Sequence, residues 1–105
     1  MKIIETSIFT KKLKLPLSDE EYRKFQNELI ANPKKGNVIR GSGGLRKIRW
    51  AAHDKGKSGG IRVIYYYISR REIILLLLIY SKSEADNFTN EQLKILKSLV
   101  ERELK

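Results

Sequence analysis

Three cations sit where strand geometry can gather them: Lys47 and Arg49, two residues apart, and Arg62 at the start of a later apolar run. Residues two apart on a strand share a face, so Leu45, Lys47 and Arg49 point one way and Arg46, Ile48 and Trp50 the other. In the next run, Arg62, Ile64, Tyr66 and Ile68 oppose Ile61, Val63, Tyr65 and Tyr67. If Arg62 faces the same side as Lys47 and Arg49, the three converge on one site, a matter of strand register. Such a site holds a phosphate and stabilises negative charge that develops on it, a task that suits the permanent charge and forked donors of arginine.

The surrounding charge has the same location. From Lys34 to Arg62 nine cations stand against Asp54 alone, so eight of the chain's ten net positive charges fall within 29 residues. Cations crowded near one phosphate chain release counterions together, which points to a polyanionic partner more than to a solvated surface. Arg40, Arg46, Lys34, Lys35, Lys55 and Lys57 are the candidate outer contacts, and Tyr66 is a candidate for stacking on a base. Gly41 to Gly44 read as turn glycines, and Gly56 to Gly60, with Lys55 and Lys57, as a basic flap. Neither has the spacing of a Walker motif. Trp50 and at least one of the consecutive tyrosines read as core, and His53 as a loop residue.

Other chemistries lack their residues. The chain has no cysteine and one histidine, so thiol nucleophiles, disulfides and sites built from several histidines or cysteines are excluded. No cofactor and no metal are expected. The longest strongly apolar run, Ile73 to Tyr80, is far short of the roughly 20 residues of a membrane-spanning helix, and Met1 to Lys14 has no signal-peptide core. A soluble, cytoplasmic protein without membrane contact is expected.

The elements that must position these residues follow from pattern. A length of 105 residues predicts one domain, 1–105, and 41% apolar residues suffice for a small core. Lys2 to Phe9, with Ile3, Ile4, Ile8 and Phe9, reads as a first strand, and Lys11 to Leu17 as a basic connector. Ser18 with Glu21 has capping-box spacing, and Leu17 with Tyr22 that of a hydrophobic staple, so a helix begins there and stops at Asn32-Pro33. Lys34 to Gly44 reads as a loop with a short extended piece. Leu45 to Ala52, Ile61 to Ser69 and Glu72 to Tyr80 form an antiparallel meander, with the continuously apolar last strand in the interior of the sheet. Thr89 and Gln92 repeat the capping box, and Leu93, Leu96, Leu99, Val100 and Leu104 give the stripe of a C-terminal helix.

The stretch Gly41-Ser42-Gly43-Gly44-Leu45-Arg46-Lys47-Ile48-Arg49, the run Gly59-Gly60-Ile61-Arg62-Val63-Ile64-Tyr65-Tyr66 and the strand end Leu78-Ile79-Tyr80-Ser81-Lys82 occur in this order. In them the chain resembles the RelE-like toxins of bacterial toxin–antitoxin pairs, and most closely their HigB-like branch. The resemblance implies an α+β, microbial RNase-like fold, mainly an antiparallel sheet of about four strands packed with two or three helices. It also implies metal-independent, ribosome-dependent cleavage of messenger RNA, inhibiting translation and held off by a cognate antitoxin that is expected to carry a helix-turn-helix DNA-binding domain.

By motif, the catalytic positions fall on Lys47, Arg49, Arg62 and Lys82. The chain departs from the RelE pattern where an arginine would follow, at Ala85, and where a late tyrosine would stand, at Thr89. That leaves the tyrosine's role unassigned, with Tyr80 or Tyr66 as the candidate substitutes. Without a histidine pair, the ribose 2′-OH attacks phosphorus if one group takes its proton, another protonates the leaving 5′-oxygen and cations steady the phosphorane. Arg62 fits the last role, and Lys47 or Lys82 the proton transfers. Two other classes compete. One is a non-cleaving RNA- or ribosome-binding module, and the weaker is a DNA-binding regulator, for which no helix-turn-helix pair is evident.

Overall fold

The computed structural model of the chain describes residues 1–13, 17–51, 60–81 and 87–103. The elements are β1 (Lys2–Glu5), α1 (Ser7–Leu13), α2 (Asp19–Ala31), β2 (Asn37–Val38), β3 (Arg46–Trp50), β4 (Ile61–Ile68), β5 (Ile73–Ser81) and α3 (Asn90–Glu103). They build one mixed sheet in the order β1-β5-β4-β3-β2, antiparallel except where β1 runs parallel to β5. Among the described residues, five strands and three helices give the expected α+β class with one strand more than expected. The extra pairing is the two-residue edge strand β2, in the segment read as a loop with an extended piece.

The N-terminal segment departs from its expected form. The strand over Lys2 to Phe9 stops at Glu5, and Ser7 to Leu13 is helical instead. Thr6 explains the break: its hydroxyl accepts from Phe9 N–H at 3.1 Å, capping α1, and donates to the Leu77 carbonyl of β5 at 2.8 Å. Phe9 is then buried, with Leu13 one turn on packed against the same cluster, while Ile8 turns outward. Lys11 and Lys12, expected in a connector, occupy the last turn of α1, where the helix dipole favours positive charge.

The two capping boxes differ in how they close. Thr89 and Gln92 bond reciprocally, at 2.9 and 3.1 Å, and start α3. Ser18 accepts from Glu21 N–H at 3.2 Å, but the buried Glu21 carboxylate turns away to accept from Trp50 Nε1, also at 3.2 Å. That bond fastens α2 to β3, with Trp50 edge-on to Phe25.

The sheet is covered on both sides. Helices α1 and α2 close one core over Ile48, Val63, Tyr65, Ile74 and Leu76, and α3 closes the other over Leu45, Ile64, Leu75 and Leu77. This accounts for the unbroken apolar run of β5. The three tyrosines divide accordingly, Tyr65 and Tyr67 toward the first core and Tyr66 toward the second, so neither face is left without cover.

Tyr65 also builds the route into the sheet edge. Its buried hydroxyl accepts from Gly36 N–H and donates to the Pro33 carbonyl, both at 2.8 Å. Tyr65→Phe should therefore cost about 1–3 kcal/mol in urea unfolding, because the buried Gly36 N–H loses its partner. Burial also pushes Tyr65 ionisation above its ordinary value, as burial and the Glu5 carboxylate do for Tyr22. A raised folded-state pKa favours the neutral phenol, so this contribution is intact below about pH 10 and is lost as pH rises beyond it, by up to about 1.4 kcal/mol per pH unit for each group. Tyr65→Phe should flatten that alkaline decline as well as lower the plateau.

Candidate functional site

Strand register brings the three cations of the sequence pattern to one face. Arg49 of β3 pairs with Arg62 of β4, and Arg62 pairs in turn with Tyr80 of β5, giving a lateral row Arg49, Arg62, Tyr80. The adjacent row is Asn37, Lys47, Ile64, Leu78. Lys47 therefore stands one strand step of two residues, roughly 7 Å, from Arg49 on the same side. Both rows lie on the α3 face of the sheet, since Ile64, Leu78 and Tyr80 belong to the core that α3 covers.

A β-bulge puts Tyr80 in this row. Pairing runs regularly from Ile68↔Ile73 to Tyr65↔Leu76, then steps from Leu76 to Leu78 between Tyr65 and Ile64. The additional residue reverses the alternation beyond it. Ile73, Leu75 and Leu77 face α3, so uninterrupted pleating would turn Tyr80 toward α1 and α2. With the bulge, Leu78 and Tyr80 face α3, and Ile79 faces the opposite core. Bulges commonly re-aim a side chain in this way.

The row has an unusual member. Arg62 is only 6% exposed, and its Nη1 has no hydrogen-bond partner among the described residues. It also faces Arg49, a like charge, directly across the strand pair. Buried cations are normally paired, and like charges directly opposite destabilise a sheet. The geometry leaves guanidinium donors on this face with the chemistry to meet an anion. Tyr80 is buried beside it, with Phe88 edge-on at 5.2 Å between ring centroids.

The other sequence candidates fall in different places. Arg46 points to the opposite face, where its Nη1 donates to the carbonyls of Gly36 at 2.7 Å and Lys34 at 3.2 Å, clamping the segment that leads to β2. Lys35 pairs with Glu28 of α2 at 3.0 Å and, with Lys47 and Arg49, lines an open groove of about 460 Å³ at the sheet edge. Lys34 and Arg40 are exposed. Tyr66 lies on the α3 face, yet the Lys97 ammonium sits 4.3 Å from its ring centre, and Gly44 packs against its edge. Base stacking there competes with Lys97. Lys82, Lys55, Lys57, His53 and Ala85 lie outside the described residues.

Sequence reasoning missed Asn37, which reaches the site only because β2 pairs with Lys47, and the Lys97 contact, whose ammonium also donates to the Gly43 carbonyl at 2.7 Å. Nothing in the local pattern marks either. The contact of Phe88 with Tyr80 arises from tertiary packing, which local spacing does not encode.

A family model for the RelE toxin of the RelE/RelB toxin–antitoxin system matches residues 1–105. The structure is similar to a chain of the intact E. coli RelBE toxin–antitoxin complex, with a TM-score of 0.60 and 19% identity over 82% of this chain and 98% of that one. It is also similar to the isolated E. coli RelE toxin, with a TM-score of 0.57 and 16% identity over 93% and 97% of the two chains. At these identities the structural likeness establishes a common fold. Among the described residues no helix is long and apolar enough to cross a membrane.

Proposed function

The chain belongs to the RelE toxin family, and from that premise we propose that it is an endoribonuclease that cuts messenger RNA on the ribosome and is restrained by a cognate antitoxin. The observation that supports cleavage most directly is the Arg49, Arg62, Tyr80 row with Lys47 beside it. The antitoxin rests on kinship with the toxin of the RelBE complex. A helix-turn-helix domain in that antitoxin and a cytoplasmic setting belong to the same proposal.

The reaction is an in-line transfer. The ribose 2′-oxygen bonds to phosphorus, the bond from phosphorus to the 5′-oxygen breaks, and the products are a 2′,3′-cyclic phosphate and a free 5′-hydroxyl. One proton leaves the 2′-OH and one arrives at the 5′-oxygen. Arg62 and Arg49 hold the non-bridging oxygens as charge builds on them. In this reading Lys47 and Tyr80 move protons, and Lys82 keeps the role that the motif resemblance gives it. The ribosome presents the message in fixed geometry, so the protein itself need not bind RNA tightly.

Primer extension on a message translated with purified ribosomes tests this. Discrete 5′ ends should appear only when protein and ribosomes are both present, and Lys47→Gln should lower their rate of appearance by about 10²-fold or more. Arrest of translation without new 5′ ends would replace the enzyme by a ribosome-binding module that does not cleave. Equal cutting of free RNA would remove the ribosome from the mechanism.

A further inference from the structure

A second cavity adjoins the cation rows and is chemically unlike them. It lies between β2, β3 and the start of α3, is open to solvent on one side with a volume of about 340 Å³, and is lined by Asn37, Asn87 and Asn90 together with Phe88, Lys47 and Arg40. Ile39 and the buried Leu93 give it apolar surface. No carboxylate is among its described lining residues. Three amides, an aromatic wall and two cations suit a planar, uncharged ring with donors and acceptors on its edge and a phosphate attached.

We infer that this cavity is a nucleobase subsite, seating an unpaired base of the RNA one step from the phosphate that the arginine row holds. The inference rests on the cleavage reading above and adds to it the residues that choose a base. Two connections tie the cavity to the row. Lys47 lines the cavity, is paired in register with Asn37, and stands on the same face as Arg49. Phe88 lines it too and packs edge-on against Tyr80. An asparagine amide offers a donor and an acceptor in one plane, the pattern that reads a base edge, and RNA is read mostly through bases splayed out of the strand onto side chains. A volume of this size is within the usual range of small-ligand clefts, roughly 300–1,000 Å³. The exposed asparagines can change without disturbing the core.

Two measurements test the subsite, one independent of cleavage. In the first, the four nucleoside 3′-monophosphates are titrated into the free protein and backbone amide resonances are followed. Asn37, Phe88 and Asn90 should shift, more for one base than for the others, and inorganic phosphate alone should not reproduce those shifts. In the second, cleavage ends are mapped over a message library for the wild type, Asn37→Ala and Asn90→Ala. The variants should change the ratio of cleavage between bases at one fixed position beside the cut by about tenfold, the scale of one lost base-edge contact. Shifts that phosphate reproduces, shifts at none of these residues, or variant maps with unaltered base ratios would each overturn the subsite. A wild type that binds nucleotides at these residues yet never cleaves would overturn the cleavage reading and leave the subsite standing.

Discussion

Replacing Arg62 by methionine is expected to slow cleavage by about 10²–10³-fold and to make the protein more stable. Both halves follow from one residue's surroundings. Arg62 is 6% exposed, Nη1 has no partner among the described residues, and Arg49 lies directly opposite. A buried, incompletely partnered cation beside a like charge opposes folding, and an apolar side chain of similar length removes both penalties, for a gain of about 1–3 kcal/mol. In a domain of this size each kcal/mol moves Tm by roughly 4–8 °C. In the proposed function the missing partner of this guanidinium is the scissile phosphate. When the phosphorane forms, the same low-dielectric setting turns the penalty into attraction, and loss of one such preorganised donor typically lowers a rate by about 10²–10³-fold. Arg62→Lys should keep the charge, lose the two-pronged contact and fall between the wild type and Arg62→Met. Rates from ribosome-dependent primer extension and midpoints from thermal unfolding decide it together. A methionine variant that is less stable than the wild type, or that cleaves at the wild-type rate, would show Arg62 to be structural.

The convergence of Lys47, Arg49 and Arg62 shows how far periodicity carries. Pleating alone assigns the faces of β3 and β4, and the structure places Leu45, Ile64 and Tyr66 toward one core and Ile48, Val63 and Tyr65 toward the other, as that alternation requires. Whether the two strands' basic faces coincide depends on register, which local pattern does not encode. Tyr80 lies further out of reach. Between Ile73 and Tyr80 every residue is apolar or aromatic, so no alternation exists from which the bulge could be detected. At the N-terminus the β-branched and aromatic residues around Ile8 and Phe9 outweighed a weaker signal: Thr6 as a cap, with Phe9 and Leu13 at helical spacing. The parallel β1–β5 pair joins segments some seventy residues apart, and only the whole sheet specifies it.

Gly60→Ala is the second large effect expected, and here backbone geometry decides. Gly60 has φ +69°, and a Cβ there would lie 2.4 Å from the Trp50 carbonyl oxygen and 3.1 Å from Ala51 Cα. Left-handed backbone costs an alanine about 1–2 kcal/mol, and the clash with main-chain atoms that cannot rotate away adds about 1–3 kcal/mol more. Gly41 supplies the comparison: its φ is +74°, but a Cβ there meets nothing within 4 Å, so Gly41→Ala should lose only the conformational part. The position of the clash matters as much as its size. Gly60 directly precedes β4, Trp50 pairs with Ile61, and Arg49 pairs with Arg62 one step further on. Relief of the contact must move the end of β3 away from β4 at the row proposed to hold the phosphate. Cleavage by Gly60→Ala should therefore fall even at temperatures where the variant remains folded, whereas Gly41→Ala should follow its stability alone. Urea unfolding and cleavage rates of the two variants, measured side by side, check this. Equal unfolding midpoints would mean that β3 and β4 tolerate separation at this end, and that the closeness of Arg49 and Arg62 does not depend on the glycine.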